Sequence, residues 1–356
     1  MTMHQLPRRD VVHLADVHTR PRVFSVWERY RHRQAHWFVE CIAETMGVFF
    51  YVYAGVGSTA GFVIGNLSNE SISSVLQIGF AYAFGILFAL ITCGSTSGGH
   101  FNPAVTICQV IFRGFPIKKA CRYIVFQILG AFLAGLLVYV QWRVNIRATE
   151  AVLHTEGKWD AVMFTPQGLA GIFALYAPAG SNLGQVLLNE FVCDFLIGLV
   201  IWSCMDPTNF LVPPSAGPWI VSFSYAMCIW GYSPVGLSTN TARDLGTRLA
   251  VMAIWGTPAA GGSYAAIAAL TNIPATILAA CFHEFILADS SRVITPEHVN
   301  VMVGHLAHAE HSGIGSPLLA SASEKQAQPA SPSPSYKPSY STHDHEKGQV
   351  ETIERV

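Results

Sequence analysis

Six apolar runs divide this chain, at roughly 37–60, 76–94, 120–142, 184–205, 217–235 and 264–288. Each is close to the ~20 residues that a helix needs to cross ~30 Å of hydrocarbon. That one feature limits the fold class to an all-α membrane protein, because in lipid every backbone N–H and C=O has to be satisfied within a helix or a closed barrel. Composition agrees where it is needed. Hydrophobic residues make up 51% of the chain, charged residues 12%, and mean hydropathy is +0.37, so disorder over the whole length is excluded. With 21 basic against 22 acidic residues the net charge is -1, which leaves no basic field for nucleic acid.

Two further apolar stretches, 102–112 and 240–252, are too short to span. At ~1.5 Å per residue such a helix covers about half the hydrocarbon. These stretches read as re-entrant half-helices, tolerable only where their free ends line a cavity.

Orientation follows from the basic residues. Arg8, Arg9, Arg20, Arg22, Arg29, Arg31 and Arg33 lie before the first span, and Arg113, Lys118, Lys119 and Arg122 lie before the third, whereas the 60–75 loop has no Lys or Arg. By the positive-inside rule both termini face the cytoplasm, which requires an even number of spans. The expected organisation is a basic arm at 1–36, a channel-like domain at 37–288 and a disordered cytoplasmic tail at 289–356, rich in Ser, Pro, Ala and His. No cleavable signal peptide is expected, because the arm lacks an apolar core run. The eight cysteines are scattered singly, which is neither a disulfide framework nor a zinc site. The tail histidines His298, His305, His308, His311, His343 and His345 lack a fixed metal-ligand pattern, and no metal or cofactor is expected.

A faint internal repeat runs through the spans. Each half opens with an acid inside an apolar run, Glu44 and then Glu190, and each reaches a polar tripeptide at the start of a half-helix: Asn102-Pro103-Ala104, then Asn240-Thr241-Ala242. Three spans per half is an odd number, so the halves insert with opposite topology, and such 3+3 inverted repeats place their site near the midplane. Asn is a preferred N-cap and Pro suits the first helical position. Two half-helix N-termini also bring partial positive charge to the membrane centre, which repels cations and suits a neutral hydroxyl. Arg243, just beyond, is an intramembrane charge and therefore a functional candidate.

These residues carry a family resemblance. Ser97-Gly98-Gly99-His100-Phe101-Asn102-Pro103-Ala104-Val105-Thr106 resembles the first signature of the major intrinsic proteins, the aquaporins and aquaglyceroporins. Gly236-Leu237-Ser238-Thr239-Asn240-Thr241-Ala242-Arg243-Asp244 resembles the second, with Thr241 where the family usually has proline. The resemblance covers about 37–288. It implies a passive channel rather than an enzyme, and a homotetramer in a lipid membrane, expected to be the plasma membrane. Asp244, Arg248, Pro274 and Trp142 match the glycerol-facilitator branch, as does Tyr176-Ala177-Pro178, and the tail length resembles that of fungal members. By the family's spacing the selectivity ring is Tyr82, Cys228, Leu237 and Arg243, with Asn102 and Asn240 at the midplane. Tyr82 and Leu237 would face a polyol's CH groups while Arg243 binds its hydroxyls.

Alternatives stand beside each assignment. Glu44 and Glu190 are either proton-relay acids or, the leading reading, buried acceptors for backbone N–H groups of the re-entrant loops; Asp194 is one turn from Glu190 and in reach of the same network. Cys228 either packs or faces the pore. His100 either senses pH or lines the pore through its carbonyl, and Asp244 is read as orienting its loop. The leading function is passage of water and small neutral solutes such as glycerol. A strict water channel and a non-conducting adhesion or scaffold protein are the competing readings. A coupled carrier would need titratable groups at the central site, where this chain has amides.

Overall fold

The computed structural model describes residues 18–209, 211–288 and 296–311. Among them every regular element is helical. We number them α1 Arg22–Leu67, α2 Val75–Ser97, α3 Pro103–Arg113, α4 Ile117–Thr155, α5 Leu183–Met205, α6 Gly217–Tyr232, α7 Thr241–Trp255, α8 Tyr264–Leu287 and α9 Pro296–His311.

Five of these, α1, α2, α4, α5 and α8, are long and apolar enough to cross a membrane. The sixth run forms the 16-residue α6, continued by a 3-10 turn at Ser233–Val235. At ~1.5 Å per α-helical and ~2 Å per 3-10 residue the two together reach about 30 Å, enough for the hydrocarbon. The short stretches form the half-helices α3 and α7. Their sequences dictate their ends: Asn102 and Asn240 cap the N-termini through their side-chain oxygens, and Gly114 closes α3 at φ 67°, a left-handed conformation that glycine adopts without a Cβ penalty.

Each half-helix is held by the opposite half of the chain. Within the first half α1 packs on α2 and α4, and within the second α5 packs on α6 and α8. The half-helix α3 then packs on α8, and α7 on α4. Small residues permit these close approaches. Gly130 on α4 has no room for a side chain against the Thr45 carbonyl of α1, and the Thr45 hydroxyl donates to the Phe126 carbonyl at 3.0 Å. Gly246 on α7 lies equally tight against α4. Outward faces stay apolar, as at Phe88, Ile91, Val125 and Val140.

Three boundaries differ from the sequence reading. Helix α1 begins at Arg22, inside the expected arm, and passes through a π-helical turn at Arg31–Ala35. Helix α4 runs to Thr155, well beyond 142, because Arg143, Arg147 and Glu150 are good helix formers. Within the expected disordered tail, Pro296–His311 is helical: a proline opens it and histidines fill its last turn, which suits both ends. The rest of that expectation, 289–295 and 312–356, lies outside the described residues, as do residues 1–17 with Arg8 and Arg9. Helix α9 belongs to a separate compact unit from the 1–290 bundle.

Candidate functional site

The loops that lead into α3 and α7 are each fixed by a buried acid. Glu44 accepts hydrogen bonds from the backbone N–H of His100 at 3.1 Å and of Phe101 at 2.8 Å. Glu190 accepts from the N–H of Ser238 at 2.8 Å and of Thr239 at 2.6 Å. Both acids are wholly buried, and a buried carboxylate is tolerated where such donors surround it. Gln127 completes the first site, donating to Glu44 at 2.7 Å and to Thr106 at 3.0 Å. Sequence reasoning passed over Gln127; its signal was a lone amide in an apolar run.

The two loops adopt the same unusual backbone. Phe101 has φ 48° and Thr239 φ 60°. Left-handed conformations are costly for residues with a Cβ, more so when it is branched, and here they turn the carbonyls of Phe101 and Thr239 toward the opposite loop. Asn240 Nδ2 donates to the Phe101 carbonyl at 2.9 Å, and Asn102 Nδ2 reaches the Thr239 carbonyl at 3.4 Å. The side-chain oxygens face their own helices: Asn102 Oδ1 accepts from Ala104 N at 2.9 Å, and Asn240 Oδ1 from Ala242 N at 2.8 Å. Thr241 leaves this cap intact. The N-termini of α3 and α7 therefore meet, adding their partial positive charges at one point.

Both asparagines line a cavity of about 650 Å³. On one side of them its wall includes Thr59, Asn66, Val75 and Tyr176, and on the other Gln109, Cys204, Met205 and Pro214. Tyr82, Leu237 and Arg243 also lie on this wall. Arg243 is almost fully buried. Its Nε and Nη2 donate to the Tyr82 hydroxyl at 3.2 and 2.9 Å, while Nη1 has no protein partner. Tyr82 is thus not simply an apolar wall: its oxygen is engaged by the arginine, and its ring is left facing the cavity.

Cys228 corrects the sequence expectation. It is wholly buried, is not part of the cavity wall, and its thiol points to the Cys193 carbonyl of α5. Tyr225 and Ile229 represent α6 on the wall instead. The 3-10 turn and Gly236 at φ 114° break the helical phase between α6 and α7, so counting back from Arg243 finds the level but not the face.

Four further residues singled out from the sequence also lie off the wall. Trp142 packs against the core beside Gly61, and Pro274 lies within α8. Asp244 and Arg248 form a bidentate pair, with Nε–Oδ2 at 2.9 Å and Nη2–Oδ1 at 2.5 Å. Arg248 also donates to the carbonyls of Ala260 at 3.0 Å and Leu175 at 3.1 Å. Its guanidinium lies over the Tyr176 ring, whose hydroxyl donates to the Ala259 carbonyl at 2.8 Å. Burial pushes the Tyr176 phenol up to about 12, so it remains a donor at neutral pH. This clasp ties α7 to the 169–178 connection and to the turn before α8. Asp244 orients structure here and does not touch the cavity.

A profile of the major intrinsic proteins matches residues 31–268. The chain belongs to the major intrinsic protein family. This major intrinsic protein is 55% identical over 308 residues to "Aquaporin-3" of Laccaria bicolor, an alignment covering 85% of this chain and 93% of the relative. It is 29% identical to the "Glycerol uptake facilitator protein" of Pseudomonas aeruginosa, covering 74% and 90% of the two chains. Its fold matches the crystal structure of the aquaglyceroporin from Plasmodium falciparum with a TM-score of 0.59, at 18% identity, over 71% of this chain and 97% of the other. As a family member it is a multi-pass integral membrane channel for water or small solutes, and not an enzyme.

Proposed function

We propose that this major intrinsic protein passes water and small neutral polyols such as glycerol, and excludes ions and protons. One observation carries the reading. The guanidinium of Arg243, held by Tyr82 through two nitrogens, lies on the cavity wall, and Leu237 and Ile229 contribute apolar side chains to the same wall. A polyol needs both kinds of surface, donors for its hydroxyls and an apolar face for its CH groups.

Ion exclusion follows from the same charges. A cation at the midplane meets two half-helix N-termini and then a full positive charge. The remaining amide N–H of Asn102 and of Asn240 donates to a neutral oxygen there. The relatives named for glycerol uptake and as aquaglyceroporins agree with this reading. We also propose cytoplasmic termini, a homotetramer and a plasma-membrane location, the first from the arginine-rich N-terminal arm and the others from family resemblance.

Stopped-flow vesicle shrinkage in parallel gradients of glycerol and of an impermeant sugar tests the reading. Re-swelling with glycerol after the initial shrinkage is the expected result. Fast water flow with glycerol fully excluded would replace it by a strict water channel, and no flow above empty vesicles by a scaffold role.

A further inference from the structure

The N-terminal helical segment carries a surface that channel function does not use. Around Arg22–Tyr30, the side chains of Val23, Phe24, Val26, Trp27 and Tyr30 occupy one continuous arc of about 160° at 100° per residue, and Arg22, Ser25, Glu28 and Arg29 occupy the other. All five apolar side chains are between 49% and 75% exposed. No other described element of the bundle covers them. A water-borne segment of this length has no reason to present three aromatic rings and two valines on one side.

Length makes the surface more telling. Helix α1 has 46 residues, or about 69 Å at ~1.5 Å per residue, more than twice the ~30 Å of hydrocarbon. The excess lies at the N-terminal end, which on the orientation proposed above is the cytoplasmic side. Between this segment and the span, Arg31–Ala35 is a π-helical turn, and Ala35 departs from helical geometry at φ -117°, ψ 8°. Such turns are where helices change direction. Arg20, Arg22, Arg29, Arg31 and Arg33 crowd this stretch against a single acid, Glu28.

From these observations we infer that Arg22–Tyr30 is an interfacial anchor that lies on an anionic lipid surface of the channel's own membrane. Val23, Trp27 and Tyr30 enter the boundary between headgroups and acyl chains, and the arginines pair with lipid phosphates. Aromatic and aliphatic residues on one face with arginine on the other are what an in-plane helix requires. Basic residues next to a span are drawn to anionic headgroups, at about 1 kcal/mol each, within a Debye length. Tethering to a spanning helix holds the segment at that surface at high effective concentration. The choice of lipid as occupant follows from this charge complementarity and from continuity with the span; a second copy of the segment would bring five more arginines against these five.

The test uses full-length protein carrying Cys121→Ser, Cys204→Ser and Cys281→Ser, labelled with an environment-sensitive fluorophore at Val23→Cys or, on the polar face, at Ser25→Cys. The protein is reconstituted in phosphatidylcholine alone, or in equal parts phosphatidylcholine and phosphatidylserine. Expected is brighter, blue-shifted emission at position 23 with phosphatidylserine, little change at 25, and loss of the shift in about 1 M salt, where the Debye length is ~3 Å. Arg22→Glu, Arg31→Glu and Arg33→Glu together abolish the lipid dependence. Identical emission in both lipids overturns the proposal. So does a shift that tracks protein density rather than lipid charge, which would assign the face to a second copy. Both leaflets carry the same lipid, so the result is independent of insertion direction, and water permeability of the same vesicles reports separately on the channel.

Discussion

Asn240 donates its side-chain amide to the carbonyl of Phe101 at 2.9 Å, so the cap of the second half-helix is secured to the residue before the cap of the first. The reverse bond, from Asn102 to Thr239, is longer at 3.4 Å. Each amide therefore has one oxygen committed to its own helix and one nitrogen committed across the repeat. What reaches the cavity is the remaining N–H of each amide, already oriented before any solute arrives.

Replacing Glu190 should disrupt that orientation. Glu190→Ala strands the N–H groups of Ser238 and Thr239 in a buried site, at about 1–3 kcal/mol each. Thermal unfolding in detergent should show the loss directly. Glu190→Gln, which keeps one acceptor oxygen, should fall between the parent and the alanine variant. Equal stability of all three would mean that the loop is held without the acid.

Arg243 and Tyr82 separate into two expectations. Arg243→Val should admit protons or small cations while water still passes, as read by electrophysiology and by proton flux into vesicles. Tyr82→Phe keeps the ring and removes the acceptor for two guanidinium N–H groups. Charge-assisted bonds are worth about 1.5–3 kcal/mol, and a 1.4 kcal/mol change is tenfold in a rate or equilibrium. The ratio of glycerol to water permeability should shift by about tenfold or more without ion leak.

Mercurials should act through Cys204. It lies on the cavity wall next to Met205, whereas the Cys228 thiol faces Cys193 inside the bundle. Block of water flow should vanish in Cys204→Ser and persist in Cys228→Ser. The opposite pattern would return Cys228 to the pore.

Breaking the clasp from one side should cost more than removing it. Asp244→Asn leaves the buried Arg248 charge uncompensated, and loss of one partner of a buried pair typically costs about 3–5 kcal/mol. Asp244→Asn with Arg248→Met should recover part of that loss in a thermal unfolding series. A double variant no better than the single one would give the Ala260 and Leu175 contacts the larger share.

Much of the architecture was legible in the residues because its signals are local. Asn102 and Asn240 announce two caps, and Glu44 and Glu190 stand out as acids in apolar runs. Their acceptor role, the leading of the two readings, matches the bonds to His100, Phe101, Ser238 and Thr239. Rotation about a helix axis was less legible. One residue turns a side chain by ~100°, so the distance between Arg243 and Cys228 could not carry a face assignment across a 3-10 turn and a positive-φ glycine. Tyr225 and Ile229 surround Cys228 in sequence yet face the cavity. Pairings across the repeat, such as Gln127 with Glu44 or Arg248 with the Leu175 carbonyl, depend on tertiary packing that no local pattern records. The helix at Pro296–His311 was hidden by averaging its composition over the longer Ser- and Pro-rich stretch 289–356.

A bilayer that thins or stretches pulls α1–α4 against α5–α8. Because α3 is seated on α8 and α7 on α4, sliding the two halves moves each half-helix with its host and loads the Asn240–Phe101 and Asn102–Thr239 bonds together. Neither loop can yield alone. Conductance should therefore hold steady over a range of lipid chain lengths and then drop abruptly, since a doubly bolted waist fails as a unit and does not narrow by degrees.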